Sequence, residues 1–128
     1  MREIKFRGKC MFSNEWVYGD LIHKRHDRNA LMIQDENGLG SDVVPETIGQ
    51  FTGLHDKNDK EIYEGDIVLS KLKRARKYDE ILQICFDDGE YCGKDKHGSS
   101  TSLSLLEDYH TVEVIGNIHD NPELLSSL

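Results

Sequence analysis

The sequence predicts a mainly β fold, a small single-domain barrel or rolled antiparallel sheet with one or two short helices, and three observations carry that expectation. Apolar and polar residues alternate with period two in short runs, the pattern of a half-buried strand. Clusters of Gly, Asn, Asp and Pro punctuate those runs closely, as in a succession of hairpins. Segments with a helical period are short and confined to the last quarter of the chain. At 128 residues the chain has the length of one domain, spanning 1–128, around a single core.

Arg2 to Arg7 alternates, with Ile4 and Phe6 on one side and Glu3, Lys5 and Arg7 on the other, which predicts an opening strand with Ile4 and Phe6 inward. Ser13-Asn14 supplies turn chemistry, so Trp16 to His23 pairs back as a hairpin with Val17 and Leu21 inward. Ala30 to Gln34 reads as a third strand. It ends at Asp35-Glu36-Asn37-Gly38, where Asn-Gly signals a reversal, and the segment on to Asp42 is expected to be a mobile loop. Pro45 has no amide for a ladder, so Val43 to Gln50 reads as a turn or an edge.

Asn58-Asp59 at the centre of a tight turn sets Leu54 opposite Tyr63 and His55 opposite Ile62, and Gly65-Asp66 redirects the chain into Ile67 to Leu72. A strand from Tyr78 to Phe86, a turn at Asp87-Asp88-Gly89 and a return strand from Glu90 to Gly93 follow. Lys94 to Ser102 is polar and loop-like. Leu103, Leu105, Leu106 and Tyr109 fit a helical turn or two, and Val112, Val114 and Ile118 alternate around Gly116 as a late strand. Asn121-Pro122-Glu123 has helix-start chemistry, with Asn as N-cap and Pro at the first position. The expected inward set is Ile4, Phe6, Val17, Leu54, Ile62, Ile67, Val114 and Ile118.

Hydrophobic residues make up 37% and charged residues 31%, enough apolar material for a small core under a heavily charged surface. The net charge of −8 divides into +3 over residues 1–28, −7 over 29–70, +5 over 71–77 and −9 over 78–128. A surface of that overall sign repels nucleic acid, so only a local basic patch could bind it. The three cysteines are an odd number without an apolar leader ahead of them, which argues against a disulfide framework and for a reducing cytoplasm. No apolar run exceeds five residues, far short of the roughly 20 that span a bilayer, so no membrane partner is expected.

The stretch from Gln50 to Val68, QFTGLHDKNDKEIYEGDIV, packs turn chemistry, alternating apolar residues and five carboxylates into nineteen positions. Together with REIKFR from Arg2 and VIGNIHDNPELL from Val114, it resembles the YopX family of small phage and prophage proteins. The resemblance implies a mostly β, barrel-like domain and a place among phage accessory genes. It implies no reaction, since the family is known as a fold and a genomic context. Its turn usually reads D-K-N-G, and here Asp59 stands where that glycine would be.

Several residue sets are candidates for chemistry. Asp56, Asp59, Glu61, Glu64 and Asp66 could hold a divalent cation or share acid and base work if their oxygens converged. The spacing opposes a calcium loop, because counting from Asp56 puts Lys60 at the fifth position and Glu61 where glycine is required. Cys85, Cys92, His97 and His110 lack the close pairs of structural zinc sites. Ser99, Ser100, Ser102 and Ser104 sit near His97 and His110 without a nucleophile elbow. No cofactor and no metal are therefore expected. Lys71, Lys73, Arg74, Arg76 and Lys77 form a basic tract able to grip phosphates or offset neighbouring acids. Trp16 and Tyr18 share a strand face and, with Tyr63, are candidates for a recognition surface.

The reading these features support is a non-enzymatic binding module for a host or phage protein, with Trp16, Tyr18, Asp56, Glu61, Tyr63, Glu64 and Asp66 as binding residues. A homo-oligomer is compatible with it. The alternatives are a small metal-dependent enzyme using the carboxylates of 56–66 and a nucleic-acid binder using 71–77.

Overall fold

In the computed structural model, residues 3–24, 30–72, 79–104, 106 and 110–126 are described. The chain divides into two compact units, Met1–Gly53 and Leu54–Leu128.

In the first unit the strands are β1 (Phe6–Lys9), β2 (Trp16–His23), β3 (Leu31–Gln34), β4 (Gly40–Asp42) and β5 (Gly49–His55), with a 3-10 turn at Pro45–Thr47. They are hydrogen-bonded in the order β4-β3-β2-β1-β5. The β1–β2 hairpin forms as expected: Asn14 takes a left-handed φ of 62°, its amide donates to the Cys10 carbonyl, and Phe6 pairs with Gly19. Ile33 and Val43 are fully buried. Gly19 is required by a close approach, since a Cβ there would lie 2.0 Å from the Gln34 carbonyl oxygen. The expected mobile loop before Asp42 is instead β4, paired with β3 so that Ile33 faces Ser41. Ile4 lies outside β1 and is 60% exposed, against its expected inward position. The strand begins at Phe6, four residues later than the alternation from Arg2 suggests, and alternation alone cannot say where pairing starts.

β5 crosses Gly53, and its last residues lead through a turn into β6 (Glu61–Tyr63). The remaining strands of the second unit are β7 (Asp66–Leu72), β8 (Glu80–Asp87), β9 (Glu90–Lys94), β10 (Ser100–Ser102) and β11 (His110–Asn117), in the antiparallel order β10-β9-β8-β7-β11. Leu103, Ser104 and Leu106 are helical, and a 3-10 helix covers Pro122–Ser126. Ile62, Val68, Leu82, Ile84, Leu103, Leu106 and Val112 form the core, with Leu54, Tyr91 and Val114 packed against it. The interior strand β7 buries both faces, Val68 towards that core and Ile67 away from it, each without exposed surface. Phe6, Val17 and Ile118 are half-buried. Lys94 to Ser102, expected to be a loop, contains the end of β9 and all of β10. Of the two forms expected, barrel and rolled antiparallel sheet, the strand orders fit the second, because both sheets are open with distinct end strands.

Besides the β1–β2 turn, two kinds of hairpin turn occur among the described residues. Asp88 and Gly89 both have left-handed φ, 52° and 79°, the signature of a two-residue turn joining Asp87 to Glu90. The other kind is a three-residue loop, found three times among the described residues. At Asp35–Leu39, Asp56–Lys60 and Asp95–Ser99 the aspartate amide donates to the carbonyl four residues on, and the aspartate Oδ1 accepts the amides two and four residues on. Each loop places its fourth residue at positive φ, namely Gly38 at 81°, Asp59 at 64° and Gly98 at 85°. Asp56 therefore faces Lys60 and not Glu61, a register one residue away from that expected for a two-residue turn at Asn58-Asp59. Asx chemistry at Asp56 decides the turn type here.

Two stability predictions follow from this packing. Ile67→Ala removes a fully buried side chain and should cost about 2–5 kcal/mol in urea unfolding, and a loss under about half a kcal/mol would show that the site collapses without a cavity. Asp59→Gly places the residue preferred at left-handed φ where the other two loops already have it, and should stabilise by about 1 kcal/mol. A lower melting temperature for that variant would mean that the Asp59 carboxylate makes a contact worth more than the backbone strain.

Candidate functional site

The carboxylates of 56–66 are set by strand ends and turns, and the two that are buried, Asp56 and Asp66, accept backbone amides. Asp56 is 7% exposed. Its Oδ1 accepts the amides of Asn58 at 2.8 Å and Lys60 at 2.9 Å, and its Oδ2 accepts the amide of Val114 at 2.9 Å. Val114 sits at a β-bulge, where the β11–β7 register shifts between Val114 and Gly116. Burial works against the ionised Asp56 carboxyl, but the three amide donors and the Lys60 charge outweigh it and hold the group below its ordinary value. Asp66 is 1% exposed, and its Oδ2 accepts the Tyr63 amide at 2.7 Å. Tyr63 is itself 2% exposed, with its hydroxyl donating to Glu61 Oε1 at 2.9 Å, so it offers no recognition surface. Glu64 is half-buried and Asp59 exposed at the turn tip. Among the described residues, no three His, Cys, Asp or Glu side chains are grouped to hold a metal ion.

The aromatic pair on β2 is more open. Trp16 is half-buried beneath two cations, the Arg7 guanidinium at 4.7 Å and the Lys9 ammonium at 5.6 Å from the ring centroid. Tyr18, 44% exposed, borders a cleft of about 450 Å³ with Ile4, Asp20, Gln34, Asp35 and Glu36. Glu3 and Lys5 also line it and form an ion pair at 3.8 Å, which leaves Asp20, Asp35 and Glu36 dominating its charge. Sequence reasoning found Tyr18 and missed the acids around it. A signal existed: pairing β2 with β3 sets Asp20 opposite Gln34, which brings the Asp35 turn alongside Tyr18.

The other candidates are distributed elsewhere. Lys71 forms a long ion pair with Asp79 at 4.0 Å, while Lys73, Arg74, Arg76 and Lys77 lie outside the described residues. Cys85 and Cys92 are cross-strand partners on β8 and β9 with sulfurs 3.3 Å apart, whereas His97 is exposed in the Asp95 loop. The pairing of those cysteines was legible by counting outward from Asp88-Gly89, through 87/90 and 86/91 to 85/92. Ser102 donates to Glu90 at 3.4 Å and shares a hydrogen bond with Ser104 at 3.0 Å, on an exposed surface.

Asp56→Asn keeps the shape but removes one acceptor, leaving an amide poorly satisfied, and should cost about 1–3 kcal/mol at neutral pH. Because the folded carboxyl titrates below its unfolded value near 3.8, its contribution is complete above that pH and disappears as pH falls through the lower folded value. The stability gap between wild type and Asp56→Asn, followed by urea unfolding across acid pH, should therefore narrow below about pH 4. A gap that stays constant through that range would mean that the ionised form is not the one the amides hold.

Comparison with known proteins agrees with this architecture over nearly the whole chain. The family described as YopX protein matches residues 5–126. Among solved structures, protein EF1440 from Enterococcus faecalis is 26% identical, with a TM-score of 0.59 over 98% of this chain and 99% of that one. Protein yopX from Bacillus subtilis is 19% identical, with a TM-score of 0.60 over 100% of this chain and 99% of that one, a likeness of fold. No curated protein matches the chain. With the family's match running from the first strand to the closing 3-10 helix, the chain belongs to the YopX family.

Proposed function

We propose that this chain is a phage or prophage accessory protein without catalytic activity, acting in the bacterial cytoplasm as a binding module for a host or phage protein. The observation that carries the reading is the cleft beside Tyr18. An exposed phenol ring and an exposed isoleucine stand next to Asp20, Asp35 and Glu36, a combination suited to an apolar side chain flanked by Lys or Arg. The net charge of −8 works in the same direction, drawing basic partners and repelling polyanions. The engagement of Asp56 and Asp66 with backbone amides supports the non-enzymatic part, since these acids already serve the fold.

Panning a random peptide display library against the protein tests the reading. Selected peptides should be enriched in Lys and Arg beside an apolar residue. Tyr18→Ala, and separately Asp20→Lys with Glu36→Lys, should each weaken their binding by roughly tenfold or more while leaving circular dichroism unchanged. Peptides without excess positive charge, or variants that bind like wild type, would remove this cleft from the proposal. Submicromolar binding of a DNA or RNA oligonucleotide at physiological salt would move the reading to the basic tract of 71–77.

A further inference from the structure

We propose that Cys85 and Cys92 are a reversible redox pair, which a low-molecular-weight disulfide converts into a cross-strand link between β8 and β9. The two residues are directly opposed in the register, and their sulfurs lie 3.3 Å apart. Opposed positions in an antiparallel pair hold their Cα atoms about 5.5 Å apart when hydrogen-bonded, inside the window that a disulfide bridges. Counting from the two-residue turn, 87/90 and 85/92 are hydrogen-bonded pairs, at which Cβ atoms stand wider than a relaxed disulfide prefers. A link formed there is strained, and strained links are the more easily reduced ones. The resting state in a reducing compartment is the dithiol, and sustained oxidation reaches the other form.

The chemistry balances through two exchange steps. The Cys85 thiolate, on the more accessible of the two side chains, attacks one sulfur of the small disulfide, forming a mixed disulfide and releasing one small thiol. The Cys92 sulfur then attacks the Cys85 sulfur, forms the intrachain bond and releases the second small thiol. Two protein thiols and one small disulfide become one protein disulfide and two small thiols. Burial and the neighbouring Cys92 push the Cys85 thiol up to about 11, which makes the first attack slow at neutral pH. The product ties β9, and through it the end strand β10, to β8, which carries Leu82 and Ile84 into the core.

The test uses the full chain carrying Cys10→Ser, equilibrated at mildly alkaline pH with glutathione mixtures from fully reduced to fully oxidised. Samples are then alkylated and analysed by intact mass and peptide mapping. The expected result is a species that has lost two hydrogens, with Cys85 and Cys92 both protected in one linked peptide and both forms populated across the series. Cys85→Ser and Cys92→Ser, made singly, should give no linked species, and Cys92→Ser should carry a glutathione adduct on Cys85 instead. Two sulfurs that remain alkylatable, or that end as separate glutathione adducts in oxidised glutathione, would overturn the link. A disulfide that excess reduced glutathione fails to open would overturn its reversibility.

Discussion

The second unit depends on one buried carboxylate. Asp56 gathers amides from its own turn and from Val114, which lies 58 residues further along the chain. Bringing such distant segments together has a loop-closure cost that local hydrogen bonds cannot offset. A charged acceptor can, because hydrogen bonds from amides to an ionised oxygen are about twice as strong as neutral ones. The neighbouring residue strengthens the junction: the Lys57 amide donates to the Val112 carbonyl at 2.9 Å, and its ammonium pairs with Glu113 at 3.7 Å. The turn thereby occupies a stretch of β11 away from β7, at the place where the bulge breaks that strand's regular ladder.

The same aspartate-anchored loop recurs at Asp35 and Asp95, with a different outcome at each. Asp56 is buried and reaches a distant strand, while the Asp95 loop ends in exposed residues. The Asp35 loop sets Glu36 and Asn37 beside Tyr18, so a turn device that costs only local hydrogen bonds also builds one wall of the cleft. Asp59 is the only one of the three fourth positions without a glycine, and it bears the conformational cost of a Cβ at positive φ.

Burial separates the acids of this protein into two groups. Those at 56 and 66 are taken out of solvent and satisfied by main-chain donors, which uses their charge to hold backbone in place. Those at 20 and 36 are exposed beside an exposed aromatic ring and give the cleft its sign, with the half-buried Asp35 between the two groups, lining the cleft while its Oδ1 accepts two turn amides. The acids with the more conspicuous sequence pattern are therefore the structural ones. Density of carboxylates in sequence says nothing about whether their oxygens converge on a ligand or diverge to separate amides.

The sequence by itself determined the β class, the span of β2, the reversals at Asn14, Gly38 and Gly89, and the burial of Ile62 and Ile67, because alternation and turn chemistry are local properties. It also carried the family, through motifs at turns and strand starts. Tertiary structure decided which alternating residues face a core: Ile4 alternates as well as Phe6 does, yet it is left in solvent. Only the fold could show that Asp56 belongs to Val114, that Tyr63 is enclosed, that Asp20 and Glu36 meet around Tyr18, and that strands form at 40–42 and 100–102. Short polar strands such as these have little intrinsic preference for extended structure. They form because a neighbouring edge offers hydrogen bonds, and that neighbour exists only once distant parts of the chain have been brought together.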